Sequence, residues 1–270
     1  MTSAAVIATT YNRPDALAAV IEGLRSQDSG GYEVLIADDG STDDTRTLVE
    51  SEARRAPFAL RHIWQEDLGF RPGAARNRAL AATTADYIIF IDGDCVPPPD
   101  FVRRHLALAE RGWFLGGNRV LLSETFTRRA LAERLPLHAW GKGQWLLAWL
   151  KRDINRLLPL LRLPDGDFRR RKPRQWEGIK SCNLAAWRDD LVRVNGFDEA
   201  YSGWGLEDSD LVIRLINAGI RHKSARFATP LFHLWHREND RSRLPENQRR
   251  LDALLASPRT VAERGLDQYS

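Results

Sequence analysis

The sequence predicts an α/β fold in which a mostly parallel sheet carries helices on both faces. The first observation behind this prediction is a regular alternation of strand-like and helix-like segments over the first 120 residues. The second is the stretch 87–91, which is apolar at every position, as is typical of a strand buried on both faces. The third is that polar residues follow three predicted strands, at the edge where open α/β sheets keep their ligands.

Each predicted element has a local reason. Strand-like runs occupy residues 4–9, 32–39, 60–65 and 87–94, and helices are predicted at 14–26, 41–54, 72–82, 99–111, 206–218 and 246–255. Pro14 and Pro72 open two of these helices, because proline lacks the N–H that has no partner in a first helical turn. Ser41 and Thr42 suit the start of the second helix, since their side chains accept hydrogen bonds from its free N–H groups.

Length and composition favour a single globular domain with three parts, at 1–122, 123–175 and 176–270. Of the 270 residues, 43% are apolar and 28% are charged, which is ordinary for a soluble protein. A net charge of +4 and a pI near 9.3 favour an anionic ligand, but they do not point to nucleic acid.

The sequence also predicts a cytoplasmic location. The first residues run straight into a strand without the pattern of a signal peptide, and no window is long and apolar enough to span a membrane. Cys95 and Cys182 have neither a metal-binding nor a redox spacing, so we expect both in a reducing compartment.

The middle part, 123–175, is basic and rich in tryptophan. Trp140, Trp145 and Trp149 lie among leucines, and five of the six positions 169–174 are basic: Arg169, Arg170, Arg171, Lys172 and Arg174. One interpretation is a flexible excursion with a solvated charge run. A second is a peripheral contact of residues 140–174 with an anionic membrane at its inner face. A third is a mobile lid whose arginines bind phosphate.

Two carboxylates separated by one glycine end the fourth predicted strand. Asp92 and Asp94 would lie at the carboxyl edge of the sheet, where two carboxylates suit a hard cation such as Mg²⁺ or Mn²⁺. Gly93 would let the backbone turn and a ligand approach closely. The alternative is a solvated turn after a strand.

Polar groups at the ends of the other strands predict a binding site at the same edge. The ring of Tyr11 can stack on a planar base, and Asp39 can accept hydrogen bonds from a base or a ribose. Arg76 could brace the Asp92–Asp94 carboxylates or a phosphate. The alternatives are a helix N-terminal turn at Asp39 and a surface salt bridge at Arg76.

Two later motifs carry acids and imidazoles. Trp204 and a glycine on each side precede Glu207 and Asp208, an adjacent carboxylate pair that could activate a hydroxyl, although acids are also favoured in a first helical turn. His233 and His236 would face opposite sides of a strand, so they can share a ligand only if the chain turns between them. Imidazole beside a carboxylate favours Mn²⁺ over Mg²⁺.

Taken in order, the motifs Thr9-Thr-Tyr-Asn-Arg, Asp38-Asp-Gly-Ser-Thr, Ala75-Arg-Asn and Asp92-Gly-Asp resemble the family 2 glycosyltransferases, which have the GT-A fold. The motifs Asn195-Gly-Phe-Asp-Glu, Trp204-Gly-Leu-Glu-Asp and His233-x-x-His236 resemble the C-terminal galactosyltransferase-type module of chondroitin-polymerase-like and β-1,4-galactosyltransferase enzymes. The resemblance covers residues 4–122 and 176–240. It does not cover the middle part, 123–175, hereafter the basic insert.

The resemblance implies a role for each motif residue. The first part would bind a UDP-sugar, and the third would supply acceptor contacts and the catalytic base. The implied donor-site residues are Thr9, Tyr11, Arg13, Asp39, Arg76, Asp92 and Trp204. Asp94 would be the main metal ligand, with His236 completing the site and Asp92 and His233 as further ligands. Asp208 would be the base and Glu207 a ligand of the acceptor hydroxyl.

The implied reaction is an inverting, metal-dependent transfer of a hexose-type sugar from a UDP-sugar to a glycan or glycolipid hydroxyl, in the synthesis of bacterial lipopolysaccharide or capsule. Mn²⁺ is the preferred metal, and Mg²⁺ is the alternative. A sugar nucleotidyltransferase is a competing interpretation, but a glycine-rich phosphate loop is expected there, and this chain has Thr9-Thr-Tyr-Asn instead. A non-catalytic nucleotide-sugar-binding protein is another, although a binder does not need Asp208 as a base.

Overall fold

The computed structural model describes residues 2–269 and confirms the α/β fold. In this range the chain forms ten strands: β1 (Ala4–Thr10), β2 (Tyr32–Asp38), β3 (Leu60–Trp64), β4 (Tyr87–Asp92), β5 (Cys95–Val96), β6 (Trp113–Gly116), β7 (Asn118–Leu121), β8 (Asn183–Trp187), β9 (Arg221–Ser224) and β10 (Pro230–His233). Seven of them form one sheet in the order β3-β2-β1-β4-β8-β6-β9. Only β8 runs antiparallel to its neighbours in this sheet.

The helices of the described range pack on this sheet and around it: α1 (Pro14–Arg25), α2 (Asp43–Ala53), α3 (Pro72–Ala81), α4 (Phe101–Leu108), α5 (Glu124–Ala132), α6 (Lys142–Leu150), α7 (Arg188–Arg193), α8 (Glu207–Asn217) and α9 (Leu244–Leu255). Alternate residues of the central strands point to two separate apolar cores. Val6 belongs to the core that contains α1, and Ile7 belongs to the core that contains α3 and α8. Helices therefore cover both faces, as predicted.

The four predicted strand–helix units of the first part are all present, with small differences at their ends. The fourth strand ends at Asp92 rather than at residue 94, because the chain turns at Gly93. It then forms β5, which belongs to a second, three-stranded sheet. That small sheet has the order β5-β10-β7. It holds the residues that follow Asp94 against the strand that ends at His233.

The basic insert is mostly structured, which corrects part of the membrane prediction. Trp145 is buried, and its ring stacks on Phe232 of β10 with 4.0 Å between the ring centroids. Arg169 is also buried, and its guanidinium donates to four backbone carbonyls, among them that of Ser224 at 2.9 Å. Neither side chain is free to meet a lipid, because each is already held by the fold. Across residues 2–269, no helix is both long enough and apolar enough to cross a bilayer.

Candidate active site

Three neighbouring strands bring the predicted site residues to one edge of the sheet. In the strand register, Thr9 of β1 lies opposite Asp92 of β4, and Thr10 lies opposite Asp38 of β2. All three strands are parallel, so their carboxyl ends open into the same cleft, as expected for open α/β sheets. The cleft has a volume of about 790 Å³.

Asp39 and Tyr11 form one end of the cleft. The Asp39 carboxylate is buried and accepts hydrogen bonds from the Gln65 amide at 2.6 Å and from the Arg71 backbone N–H at 2.7 Å. Burial raises the pKa of Asp39 to about 6, although these two donors oppose the shift. The Tyr11 ring is exposed, and its hydroxyl donates to Asp67 at 2.9 Å. An aromatic ring beside a buried acceptor suits a planar base with an N–H group.

Arg76 connects the two halves of the cleft. From α3 its buried guanidinium donates to the Thr9 hydroxyl at 3.0 Å, to the Asp92 carboxylate at 3.1 Å and to the Glu207 carboxylate at 3.2 Å. The surface salt bridge considered from the sequence is therefore wrong, and the bracing of a carboxylate is observed. Each of the three guanidinium nitrogens of Arg76 donates to the sheet edge or to α8, so this arginine fixes their relative position.

Asp92 and Asp94 have different surroundings. Burial and the neighbouring Asp94 raise the pKa of Asp92, while Arg76 opposes the shift. Asp94 lies instead beside two imidazoles: its Oδ2 is 3.7 Å from Nε2 of His233 and 3.5 Å from Nε2 of His236. The two histidines converge because β10 ends at His233 and the chain then leaves the sheet, which is the turn that the sequence required. One carboxylate oxygen facing two imidazole nitrogens is a donor set that fits Mn²⁺.

Gly93 turns the chain, as predicted, and it also packs closely against the end of β1. A side chain there would lie 3.0 Å from the Thr10 Cβ and from the Thr9 carbonyl oxygen, and the Gly93 N–H donates to that oxygen at 2.7 Å. Glycine is needed because the turn packs directly against the end of β1.

A constrained loop delivers the acids of α8. Gly203, Gly205 and Leu206 all have positive φ, and at Leu206 this conformation is strained because the residue carries a side chain. The Trp204 ring lines the cleft and stacks under the guanidinium of Arg241, 4.6 Å from the ring centre. Strain of this kind is often found where a fold holds functional groups in position.

Glu207 and Asp208 are adjacent in the sequence but have different ion-pair partners. Burial and repulsion from Asp208 raise the pKa of Glu207, against the attraction of Arg76. The Asp208 carboxylate accepts hydrogen bonds from the backbone N–H of Ser209 at 2.8 Å and from that of Ser181 at 3.4 Å, and it lies 3.6 Å from Nζ of Lys180. Asp210 has turned away from the cleft into a buried pair with Arg214 at 2.6 Å. Glu207 and Asp210 are thus paired with arginines, whereas the salt-bridge partner of Asp208 is Lys180.

Arg119 and Lys180 are two charged cleft residues that were not predicted from the sequence. Arg119 lines the cleft from β7, and Lys180 lines it beside Asp208. A single charged residue in the otherwise mostly apolar strand β7 was a signal for Arg119. No motif marks Lys180. Arg13, which was predicted to bind the donor, also lines the cleft, and its guanidinium pairs with Asp15 at 2.9 Å.

Comparisons with known families agree with this geometry. A family model described as glycosyl transferase family 2 matches residues 5–170. A second model, described as the N-terminal domain of galactosyltransferase, matches residues 169–237. Together they confirm both parts of the resemblance seen in the sequence motifs, but they also cover residues 123–175, which those motifs left outside it.

Individual relatives are enzymes that are longer than this chain. Validoxylamine A glucosyltransferase of Streptomyces hygroscopicus is 31% identical over 230 residues, which are 80% of this chain and 51% of that protein. Chondroitin synthase of Escherichia coli is 26% identical over 244 residues, which are 83% of this chain and 33% of that protein. The chain therefore spans about half of the first relative and about a third of the second.

Solved structures confirm the fold. S. aureus TarS 1-349, determined in complex with UDP-GlcNAc, aligns with 99% of this chain and 69% of its own, with a TM-score of 0.63 and 16% identity. Glucosyl-3-phosphoglycerate synthase of Mycobacterium tuberculosis, determined with Mn²⁺ and UDP-glucose, aligns with 98% of this chain and 81% of its own, with a TM-score of 0.51 and 21% identity. The fold is thus that of GT-A glycosyltransferases.

Proposed function

Because this chain belongs to glycosyl transferase family 2, we propose that it is an inverting, metal-dependent enzyme that moves a hexose-type sugar from a UDP-sugar to a hydroxyl of a glycan or glycolipid. The observation that carries this proposal is that one cleft contains a buried hydrogen-bond acceptor at Asp39, a carboxylate–imidazole cluster at Asp94, and the Asp208 carboxylate, which pairs with Lys180 rather than with an arginine. A protein that only binds a nucleotide sugar needs the first two groups but has no use for the third.

The donor would lie along the sheet edge. The uracil would stack on Tyr11 and donate its N–H to Asp39, with Thr9 and Arg13 nearby on the same edge. Arg76 and Asp92 would lie under the diphosphate and ribose, and the Trp204 loop would close over the sugar. The contacts of Asp39 with Gln65 and Arg71 support this role, because they hold its carboxylate in position before a ligand arrives.

Asp94, His236 and His233 would hold a divalent cation, preferably Mn²⁺, with Mg²⁺ as the alternative. Their convergence supports this assignment, since Nε2 of His233 and Nε2 of His236 lie 3.7 Å and 3.5 Å from the same oxygen, Oδ2 of Asp94. When bound, the cation supplies positive charge that offsets the charge developing on the departing diphosphate.

Asp208 would act as the general base. It would remove the proton of the acceptor hydroxyl while that oxygen attacks the anomeric carbon from the face opposite the diphosphate. A single displacement of this kind inverts the anomeric centre, so an α-linked donor gives a β-linked product. Glu207 would accept a hydrogen bond from the acceptor while Arg76 holds it in place.

The test of this function is a screen for UDP release from a panel of UDP-sugars with Mn²⁺ present. We expect UDP to be released from at least one donor, and no UTP to form from any donor when pyrophosphate is added. A sugar nucleotidyltransferase would form UTP and sugar 1-phosphate, and a binding protein would release nothing. The acceptor class that we propose is a lipopolysaccharide or capsule glycan, to be tested by adding such acceptors to the productive donor.

Donor affinity is expected to fall as the pH drops below about 6. Asp39 has its pKa raised to about 6, so its carboxylate, the form that accepts a uracil N–H, predominates above that pH and is lost below it. Affinity for a UDP-sugar should then decline by about tenfold per pH unit well below pH 6. Calorimetry with a UDP-sugar is suitable, because its diphosphate does not titrate in this range. In Asp39→Asn this dependence should disappear; an identical pH profile in that variant would contradict the assignment.

We also propose that the enzyme contacts an anionic membrane through α6, which retains Trp149 of the residues first predicted but leaves out the buried Trp145 and Arg169. The outer face of this helix, hereafter the α6 apolar face, consists of Leu146, Leu147, Trp149 and Leu150, which are 43–64% exposed. Basic residues lie at both ends of the helix: Lys142, Lys151 and Arg152. Exposed leucines and tryptophan bordered by cations are typical of helices that lie in a membrane interface. The stacking of Trp145 on Phe232 anchors this helix beneath the cleft.

Binding to vesicles that contain phosphatidylserine is expected to fall at least about 100-fold when the four residues of the α6 apolar face become Gln, because each leucine contributes about 1.5 kcal/mol or more. Co-sedimentation measures this loss. A matched control replaces Leu255 and Val261, which are equally exposed elsewhere, and should bind normally. Arg171, Lys172 and Arg174 are exposed, and replacing them with Ser tests the basic run separately. If the parent protein does not bind these vesicles at any salt concentration, the membrane proposal is wrong.

A further inference from the structure

The two cysteines of the chain meet beneath the Asp92–Asp94 turn. Cys95 begins β5, and Cys182 directly precedes β8. They are the only cysteines in the 270 residues, and both are buried as free thiols. Their separation along the sequence predicted no site, but the pairing of β4 with β8 sets Ile91 opposite Asn183 and so brings them together.

The sulfur atoms have a carboxylate as a third neighbour. The Sγ atoms of Cys95 and Cys182 and a carboxylate oxygen of Asp92 all lie within 4.8 Å of one another. In a tetrahedral zinc site with bonds of about 2.0–2.3 Å, neighbouring ligand atoms are about 3.5–3.8 Å apart. Side-chain adjustments of about 1 Å or less would therefore bring the three atoms to the ligand spacing of such a site.

We propose that Cys95, Cys182 and Asp92 form a binding site for a thiophilic divalent cation of the Zn²⁺ and Cd²⁺ class, distinct from the Asp94–histidine cluster. Sulfur ligands select soft and borderline cations, whereas Mn²⁺ and Mg²⁺ favour oxygen and nitrogen ligands. Three protein ligands leave a fourth position for water on the cleft side. Binding exchanges two thiol protons, which leave to the buffer, for one cation, and no oxidation takes place.

The charges around the sulfurs suit this exchange. Nη1 of Arg119 lies 3.6 Å from Sγ of Cys182, and Arg76 pairs with Asp92 at 3.1 Å. Two thiolates and a carboxylate carry more negative charge than one divalent cation neutralises, and these two arginines balance the remainder. A buried site without such cations would have to keep that excess charge uncompensated.

Occupation of this site would inhibit the enzyme. A cation bound to Asp92 competes with Arg76, which also holds Glu207, so the brace between the sheet edge and α8 would weaken. Cys95 also lies opposite His233 in the β5–β10 pair, and its Sγ is within 4.8 Å of ligand atoms of Asp94 and His233. The thiol site and the proposed catalytic metal site are therefore adjacent, with Cys95 in contact range of Asp94 and His233. This inhibitory role rests on the proposed function, whereas the binding itself does not.

Titration with Cd²⁺ tests the site without any activity measurement. We expect a sulfur-to-cadmium charge-transfer absorption that saturates at one equivalent in the presence of a phosphine reductant. Replacing Cys182 with Ser should weaken this binding at least about 100-fold. Loss of a residue that only hydrogen-bonds to a metal ligand already lowers metal affinity about 10–100-fold, and loss of the ligand itself lowers it further. The matched variant His236→Ala should keep the cadmium absorption and lose affinity for Mn²⁺. The proposal is overturned if the parent protein shows no such band, or if Cys182→Ser binds Cd²⁺ as tightly as the parent.

A second measurement tests inhibition. With Mn²⁺ saturating, a low concentration of Zn²⁺ should slow the release of UDP by the parent protein, and each variant is compared with its own rate without Zn²⁺. In Cys182→Ser and in Cys95→Ser, the Zn²⁺ concentration for half inhibition should rise at least about tenfold. Equal sensitivity in all three proteins would mean that Zn²⁺ acts by displacing Mn²⁺, which overturns the inhibitory role. If the chain has no transferase activity, the cadmium titration still decides whether the site exists.

Discussion

Replacement of Asp208 by asparagine is expected to lower kcat by about 10²–10⁴-fold, the contribution that a positioned general base makes. Asparagine keeps the size of the side chain and its contact with the Ser181 N–H, but it cannot take a proton. Affinity for the UDP-sugar should change little, because Asp39 and Tyr11 bind the nucleotide at the other end of the cleft. Initial rates and calorimetry on the same protein samples give the two quantities.

Glu207→Gln is the matched control for that experiment. Its neighbour Arg76 loses one charged partner but keeps Asp92 and Thr9, so we expect a higher acceptor KM and a kcat much less reduced than in Asp208→Asn. If Glu207→Gln has no activity while Asp208→Asn remains active, the assignment of the base is reversed. If both variants turn over normally, neither acid is the base.

Removal of divalent metal is expected to lower turnover by about 10³-fold or more, since electrostatic support of a leaving diphosphate contributes several kcal/mol. Mn²⁺ should restore activity better than Mg²⁺, because imidazole nitrogens from His233 and His236 face the Asp94 carboxylate. Activity in the presence of a chelator, followed by titration of each cation, measures both effects.

Variants locate the metal within the cleft. Asp94→Asn and His236→Ala should each raise the Mn²⁺ concentration needed for half-maximal activity, by at least about tenfold. His138→Ala is a suitable control, because this histidine lies on the short helical turn at Leu137–Ala139, outside the cleft. Full activity in excess chelator would remove the metal from the mechanism. An unchanged Mn²⁺ requirement in His236→Ala would instead remove this histidine from the metal site.

Most of the first part of the fold could be predicted from local sequence. Strands such as β1 and β4 are continuous apolar runs, and prolines or capping residues mark the starts of their helices, so each unit carries its own signal. The strands of the second part are short, and β8 is fixed by pairing with β4 and β6, which are distant in the sequence. No periodicity in residues 183–187 could have indicated that pairing.

The site was predictable where it follows strand ends and unpredictable where it depends on packing. Asp39, Asp92 and Asp94 were found because parallel strands deliver their carboxyl ends to one edge. Lys180 and the Cys95–Cys182 pair were missed, because the pairing of β8 with β4, which are distant in the sequence, sets their neighbours. The prediction that Trp145 lies at the surface was wrong for a different reason. An indole among leucines suits a lipid interface and a protein core equally well.

The anomeric configuration of the first product tests the account most directly. With an α-linked UDP-sugar, Mn²⁺ and an acceptor or water, proton NMR at early times should show the β-anomer, because Asp208 would direct attack from the face opposite the diphosphate. Formation of the α-anomer as the first product would contradict a single displacement and with it the role of Asp208.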